Sequence, residues 1–282
     1  MNTKQKIIIA GPCAAESQEQ VISCAKELKK RGIKIMRASL WKPRTNPGFD
    51  GVGERGISWL AEVTKIGLTV ASEVLFPEQV SQIIKGIAKK GDPRKIVFWL
   101  GARNQNHRIQ RLIALRIKEE APSQVKLLIK NQPWLDEDHW LGIVSHVLGS
   151  GILSSRVILC HRGFSPNGGK NPHNMRNIPD YKMAMRVKKQ TGLPMIIDPS
   201  HSGGSVPNVF KVVKESRKHS FDGMMVEVHP CPEKAKTDKK QQLSFQEFDE
   251  LLKIDSVTRN RYSSARLCGL RRNPLLEEPF YS

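Results

Sequence analysis

The sequence predicts an α/β fold, a closed (β/α)8 barrel. Eight short β-rich runs alternate with longer segments whose apolar residues recur at helical spacing. The strand runs are almost continuously apolar, which suits a parallel sheet covered on both faces. The chain has 282 residues, and an eight-stranded barrel takes about 250. The pattern alone also allows an open doubly wound sheet.

In order, IIIA (7–10) is followed by the helical QEQVISCAKELKKRG (18–32), and IKIMRAS (33–39) by ISWLAEVTKIG (57–67). LTVAS (68–72) precedes PEQVSQIIKGIAKKG (77–91), and KIVFWLGA (95–102) precedes RIQRLIALRIKEE (108–120). VKLLIK (125–130) leads to WLGIVSHVLGSG (140–151), and RVILC (156–160) to YKMAMRVKKQTG (181–192). PMIID (194–198) leads to VFKVVKESRKHS (209–220), and GMMVEV (223–228) to SFQEFDELLK (244–253). No linker divides this series, so residues 1–253 read as one barrel and 254–282 as a polar extension whose structure the pattern does not assign.

Bulk properties narrow the class. No apolar stretch reaches the roughly 18 residues of a membrane helix. The apolar part of MNTKQKIIIAGPC is too short for a secretory signal. Five scattered cysteines without a CxxC pair suit a reducing cytoplasm, with thiols free or bound to metal. The formal charge is +19, from 46 Lys+Arg against 27 Asp+Glu. That field attracts anions, either nucleic acid or phosphorylated metabolites. A nucleic-acid module needs a basic stripe interleaved with aromatics, whereas only 6% of residues here are aromatic. Runs such as Lys29-Lys30-Arg31 read as solvated helix ends.

Barrel chemistry sits at the C-terminal ends of the strands. Read in order, those ends carry Cys13; Arg37, then Lys42 and Arg44; Glu73; Arg103; Lys130; His161-Arg162; Asp198 and His201; and Glu227 with His229. Arg37, Lys42, Arg44, Arg103, Lys130 and Arg162 are cations, which repel one another unless an anion neutralises them. Arginine forks onto phosphate and carboxylate, and lysine adds a point charge. The group reads as a cradle for a small polyanion. Cys13, His201, Glu227 and Asp238 supply a thiol, an imidazole and two carboxylates, a donor set for a divalent transition metal. Taken singly, Cys13 also fits a buried small hydrophobe, His201 a loop histidine and Asp238 a solvated charge. Gly51-Val52-Gly53-Glu54-Arg55-Gly56 fits GxGxxG, but a proline-rich loop precedes it where a dinucleotide site needs a strand. The loop GFSPNGGKNPHN (163–174) has the composition of a mobile lid.

GPC (11–13), R-x4-KPRT (37–45), GARN (101–104), LIKN (128–131), LCHRG (159–163), IDPSHSGG (197–204) and VEVHPCPEKAKTD (226–238) resemble type I 3-deoxy-D-arabino-heptulosonate 7-phosphate (DAHP) synthase, in its shorter barrel-only branch. The resemblance runs in order from about residue 6 to about residue 253. It implies a (β/α)8 TIM barrel that condenses phosphoenolpyruvate with erythrose 4-phosphate, the first step of the shikimate route to chorismate and the aromatic amino acids. It implies one divalent metal ion (Mn, Fe, Co or Zn) on Cys13, His201, Glu227 and Asp238. Phosphoenolpyruvate contacts carry over onto Arg37, Lys42, Arg103, Lys130 and Arg162, and the aldose phosphate onto the KPRT segment with Arg44 and Thr45. Lys42, Cys13 and His201 then stand closest to the chemistry. Lys42 is a candidate proton donor, expected to have its pKa lowered by the surrounding cations. The sister family, 3-deoxy-D-manno-octulosonate 8-phosphate synthase, carries a KANRS-like segment where this chain has KPRT. The resemblance also implies a homodimer or homotetramer, and any feedback control would need a separate partner or some feature of the tail. Cys231, on the loop between Glu227 and Asp238, is a candidate to pair with Cys13 under oxidation.

Overall fold

Eight parallel strands close on one another in chain order in the computed structural model, which describes residues 6–42, 48–171 and 173–256. They are β1 (Ile7–Gly11), β2 (Ile35–Arg37), β3 (Thr69–Glu73), β4 (Ile96–Leu100), β5 (Lys126–Lys130), β6 (Val157–His161), β7 (Met195–Ile197) and β8 (Gly223–Glu227). One pairing excludes the open doubly wound sheet: β1 lies beside β8, in register from Ile7 opposite Gly223 to Gly11 opposite Glu227. Glycine is needed at that seam. A Cβ on residue 223 would lie 1.8 Å from the carbonyl oxygen of Ile7.

The helices are α1 (Gln18–Lys30), α2 (Ile57–Ile66), α3 (Pro77–Lys90), α4 (His107–Glu120), α5 (Glu137–Leu148), α6 (Tyr181–Thr191), α7 (Pro199–Gly203), α8 (Val206–Ser216) and α9 (Phe245–Ser256). Aspartate caps set two helix starts that the apolar periodicity does not show. The α5 helix begins at Glu137 rather than 140 because the Asp136 side chain accepts the His139 backbone N–H. The short α7 was not visible as periodicity. It is set by Asp198, which accepts the His201 N–H, and stopped by Gly204 in the left-handed region. The α9 helix runs to Ser256, three residues beyond the barrel boundary read from sequence, and residues 257–282 lie outside the described part. No helix among the described residues is long and apolar enough to cross a membrane.

Strand side chains alternate with period two, and this sorts the core into two layers. Ile9, Ala71, Val97, Trp99, Leu128, Ile158, Cys160, Ile196 and Met225 pack together inside the barrel. Their strand neighbours, among them Ala10, Val70, Phe98, Leu127, Leu159 and Ile197, pack against the helices.

His161 belongs to the outer set. Its ring stacks on Trp140 of α5 at 5.5 Å, and its Nε2 accepts the Asp180 N–H at 3.0 Å. Burial, reinforced by the Arg162 charge, lowers its pKa from 6.5 to about 3. The imidazole is therefore neutral when folded and takes up a proton on unfolding. Its contribution is complete above pH 6.5 and is lost as pH falls toward 3. We expect His161→Gln, which keeps an acceptor but does not titrate, to remove about 2 kcal/mol of the wild-type stability loss between pH 7 and pH 5. Urea unfolding at the two pH values measures this. Equal losses in both proteins would refute it.

Candidate active site

The parity that builds the inner core also builds the site. Two residues beyond the inner-layer Ile9, Ile35, Ala71, Trp99, Leu128, Cys160, Ile196 and Met225 stand Gly11, Arg37, Glu73, Gly101, Lys130, Arg162, Asp198 and Glu227. Each strand thus delivers its next inward position to one mouth. Glycine at 101 makes room there, since a Cβ would lie 1.7 Å from the Glu73 carboxylate.

That mouth holds a cavity of about 330 Å³. Trp99 forms its floor, with the Arg37 guanidinium 5.1 Å and the Lys130 ammonium 5.5 Å from the ring centre. Arg103, Lys130, Arg162 and Arg176 line the walls with Asn177 and Glu73, while Lys42 and His201 stand at one side. Arg162 is nearly buried and donates to Asn177 Oδ1 at 2.9 Å. Burial lowers its pKa to about 10; Asp198 opposes this, and the Arg176 and Arg103 charges add to it. The Nη1 of Arg37 is buried without a hydrogen-bond partner among the described residues. Crowded, desolvated cations of this kind are what a bound polyanion stabilises.

Beside the cavity, one ligand atom each from Cys13, Glu227 and Asp238 lies within 4.8 Å of the others. Donors sharing one ion through bonds of about 2.0–2.3 Å stand roughly 3–4 Å apart. His201 Nε2 faces the same group, 3.6 Å from Glu227 Oε1 and 4.0 Å from Asp238 Oδ2. Burial lowers the His201 pKa to about 4, against the Asp198 and Glu227 charges, which leaves a neutral imidazole. Glu227 Oε1 is buried and ion-paired with Arg37 Nη2 at 3.1 Å, with no regular hydrogen bond among the described residues. A buried carboxylate oxygen, a thiol and a neutral imidazole together fit a divalent transition ion. Asp238 is held in the left-handed region, at φ 50°, where aspartate is among the better-tolerated residues. Burial works to raise its pKa, but Lys42, His201 and Arg176 hold it well below the usual carboxylate range.

Lys42 lies between the two halves. Its Nζ is 2.8 Å from Cys13 Sγ and 3.6 Å from Asp238 Oδ2. The lowered pKa expected from its cationic neighbours is not found. Burial favours the neutral amine, yet the charges of Cys13, Glu227, Asp238 and Glu73 outweigh it and raise the pKa. The sequence showed cations at the strand ends, but only the folded chain places Lys42 against acidic groups. Arg44 and Thr45 lie outside the described residues. Cys13 and Cys231 are both free thiols; the first faces Lys42 and Asp238, and the second lies against Glu233.

Several polar residues at this mouth were not singled out in the sequence. Arg176 donates to Asp238 Oδ1 at 2.9 Å and Gln241 at 2.8 Å, and Gln241 donates to Glu227 Oε2 at 2.7 Å. Gln242 accepts the Cys13 N–H at 3.0 Å. No motif marks these side chains, because their partners lie far away in sequence. The loop read as a lid is fastened at its base, where Phe164 pairs with Ile178 and the Asn177 N–H donates to the Ser202 carbonyl.

The sequence matches the model of the DAHP synthetase I family over residues 2–263. This chain belongs to that family. It is 32% identical over 248 residues to the phospho-2-dehydro-3-deoxyheptonate aldolase of Thermotoga maritima, covering 87% of this chain and 67% of that protein. It is 26% identical to the 2-dehydro-3-deoxyphosphooctonate aldolase of Desulfatibacillum aliphaticivorans, covering 87% of this chain and 89% of that one. Among solved structures, the Thermotoga maritima DAHP synthase superposes with a TM-score of 0.78 at 30% identity, covering 93% of this chain and 71% of that one. A truncated form of the Thermotoga enzyme gives 0.74 at 28% identity, covering 93% and 88%. As a DAHP synthetase I family member, the chain has the closed eight-stranded barrel that its alternating pattern predicts. The higher identity lies with the heptonate aldolase rather than the octonate aldolase.

Proposed function

We propose that this chain condenses phosphoenolpyruvate with erythrose 4-phosphate to give DAHP and phosphate, using one divalent metal ion. The observation that carries the reading is the juxtaposition at one barrel mouth of a cation-lined cavity with a thiol–imidazole–carboxylate cluster. Cys13, His201, Glu227 and Asp238 would hold the ion. Manganese, iron, cobalt and zinc all suit that mixed donor set. When bound, it supplies Lewis acidity toward the aldehyde oxygen.

The protein groups divide the remaining work. Arg103, Lys130 and Arg162, with Arg37 behind them, bind the phosphate and carboxylate of phosphoenolpyruvate and fix its C3 against the aldehyde carbon. Once the new carbon–carbon bond forms, Lys42 in its charged form gives a proton to the oxygen that was the aldehyde. Water adds at C2, and the resulting phosphohemiketal expels phosphate while the cations stabilise the charge in a preorganised site. Glu73 is a carboxylate on the cavity wall and is suited to accept the proton lost by that water. The KPRT segment, with Arg44 and Thr45, is assigned to the aldose phosphate through the family motif. The proposal also assigns the barrel to residues 1–253, a cytoplasmic location and assembly as a homodimer or homotetramer, the last two by analogy with the family.

Phosphate release assayed with erythrose 4-phosphate and arabinose 5-phosphate separately, with each of the four metals, tests the reading. Erythrose 4-phosphate should be preferred by about a hundredfold or more in kcat/KM, about 2.7 kcal/mol of discrimination. Preference for arabinose 5-phosphate, or no release with either sugar, would overturn it.

A further inference from the structure

Asp198 is a fully buried carboxylate that the proposed chemistry leaves without a role. Such a group is costly unless its oxygens are matched. Oδ1 accepts the His201 backbone N–H at 3.0 Å and so caps α7. One oxygen is all a cap requires, and serine, threonine or asparagine would supply it. Oδ2 does something a neutral cap cannot. It accepts from Lys130 Nζ at 2.6 Å and lies 2.9 Å from His201 Nδ1. Lys130 lines the anion cavity and His201 faces the cluster of ligand atoms. A single oxygen therefore touches one member of each half of the site.

We propose that Asp198 is a positioning residue that fixes the His201 tautomer and the Lys130 side chain together, joining the ion site to the anion cavity. The inference rests on the functional reading above, in which His201 is a ligand and Lys130 a phosphoenolpyruvate contact. The carboxylate lies 2.9 Å from Nδ1, outside regular hydrogen-bond geometry, and its charge favours a proton on that nitrogen. The lone pair of Nε2 then points toward Glu227 and Asp238, the orientation a ligand needs. The same oxygen neutralises Lys130, which is nearly buried and has no other ion pair among the described residues. The backbone anchors the carboxylate itself: the Asp198 N–H donates to the His161 carbonyl at 2.7 Å, locking the end of β7 to β6.

Asp198→Asn tests this, because asparagine caps a helix as well as aspartate but replaces the shared anionic oxygen or turns an NH2 toward two donors. The variant should bind Mn2+ roughly 10- to 100-fold more weakly in calorimetry. It should also show a KM for phosphoenolpyruvate raised about tenfold, a change that loss of a cap alone would not produce. Wild-type protein that binds no Mn2+ would overturn the metal reading and this proposal with it. Wild-type protein that binds Mn2+, beside a variant that binds equally tightly, would overturn this proposal alone. Should the variant not fold, 15N spectra of histidine-labelled wild-type protein decide, with His201 assigned from His201→Asn. The Nδ1–H tautomer is the expected result, and the Nε2–H tautomer would refute the proposal.

Discussion

Cys13→Ser is expected to lower turnover by roughly a thousandfold or more, the scale of losing a principal transition-state partner, while leaving the barrel folded. Cys13 lies at the β1 end of the β1–β8 seam, buried, with its Sγ 3.2 Å from Asp238 and 2.8 Å from Lys42. It is the single soft donor of the proposed set, and serine oxygen is a poor substitute for thiolate on a transition ion. The backbone around residue 13 is held independently of the sulfur. Its N–H donates to Gln242 and its carbonyl accepts from Arg37. The substitution should therefore cost less than about 1.5 kcal/mol in urea unfolding, while metal affinity falls roughly a hundredfold or more. A serine variant with wild-type turnover and metal affinity would remove Cys13 from the site.

Lys42→Met is the second large effect, and its signature is a split between kinetic constants. Lys42 touches the donor cluster on one side and lines the cavity on the other. If it delivers a proton to the new alkoxide, kcat falls by roughly 10²- to 10⁴-fold, the usual yield of general acid catalysis. KM for phosphoenolpyruvate then rises only severalfold, because Arg37, Arg103, Lys130 and Arg162 remain to bind it. A group that only binds anion would instead raise KM with kcat unchanged. Steady-state kinetics with each substrate varied in turn separate the two outcomes.

Much of this site was legible from local sequence, and the reason is the period of two. Arg37, Lys130 and Arg162 stand two places past an apolar inner residue, so their direction follows once a strand is recognised. Arg176 illustrates the limit. It lies in an irregular loop with no periodicity, and its contact with Asp238 spans 62 residues. His161 shows another limit. At a strand end it looks like any rim residue, yet its parity turns it toward Trp140 and away from the cavity. The early start of α5 and the short α7 are both set by aspartate caps, whose action depends on backbone geometry rather than hydrophobic spacing.

By itself, the sequence determined the alternation of strand and helix, the inward set of each strand and the kinds of side chain brought to the rim. These are properties of short segments, governed by side-chain direction and burial. Tertiary structure decided which of those groups meet. Closure of β1 on β8 brings Cys13 beside Asp238, places Lys42 among acids rather than cations, and lets Asp198 hold Lys130 and His201 on one oxygen. Such contacts fall off steeply with distance and join residues remote in sequence, so no local pattern encodes them.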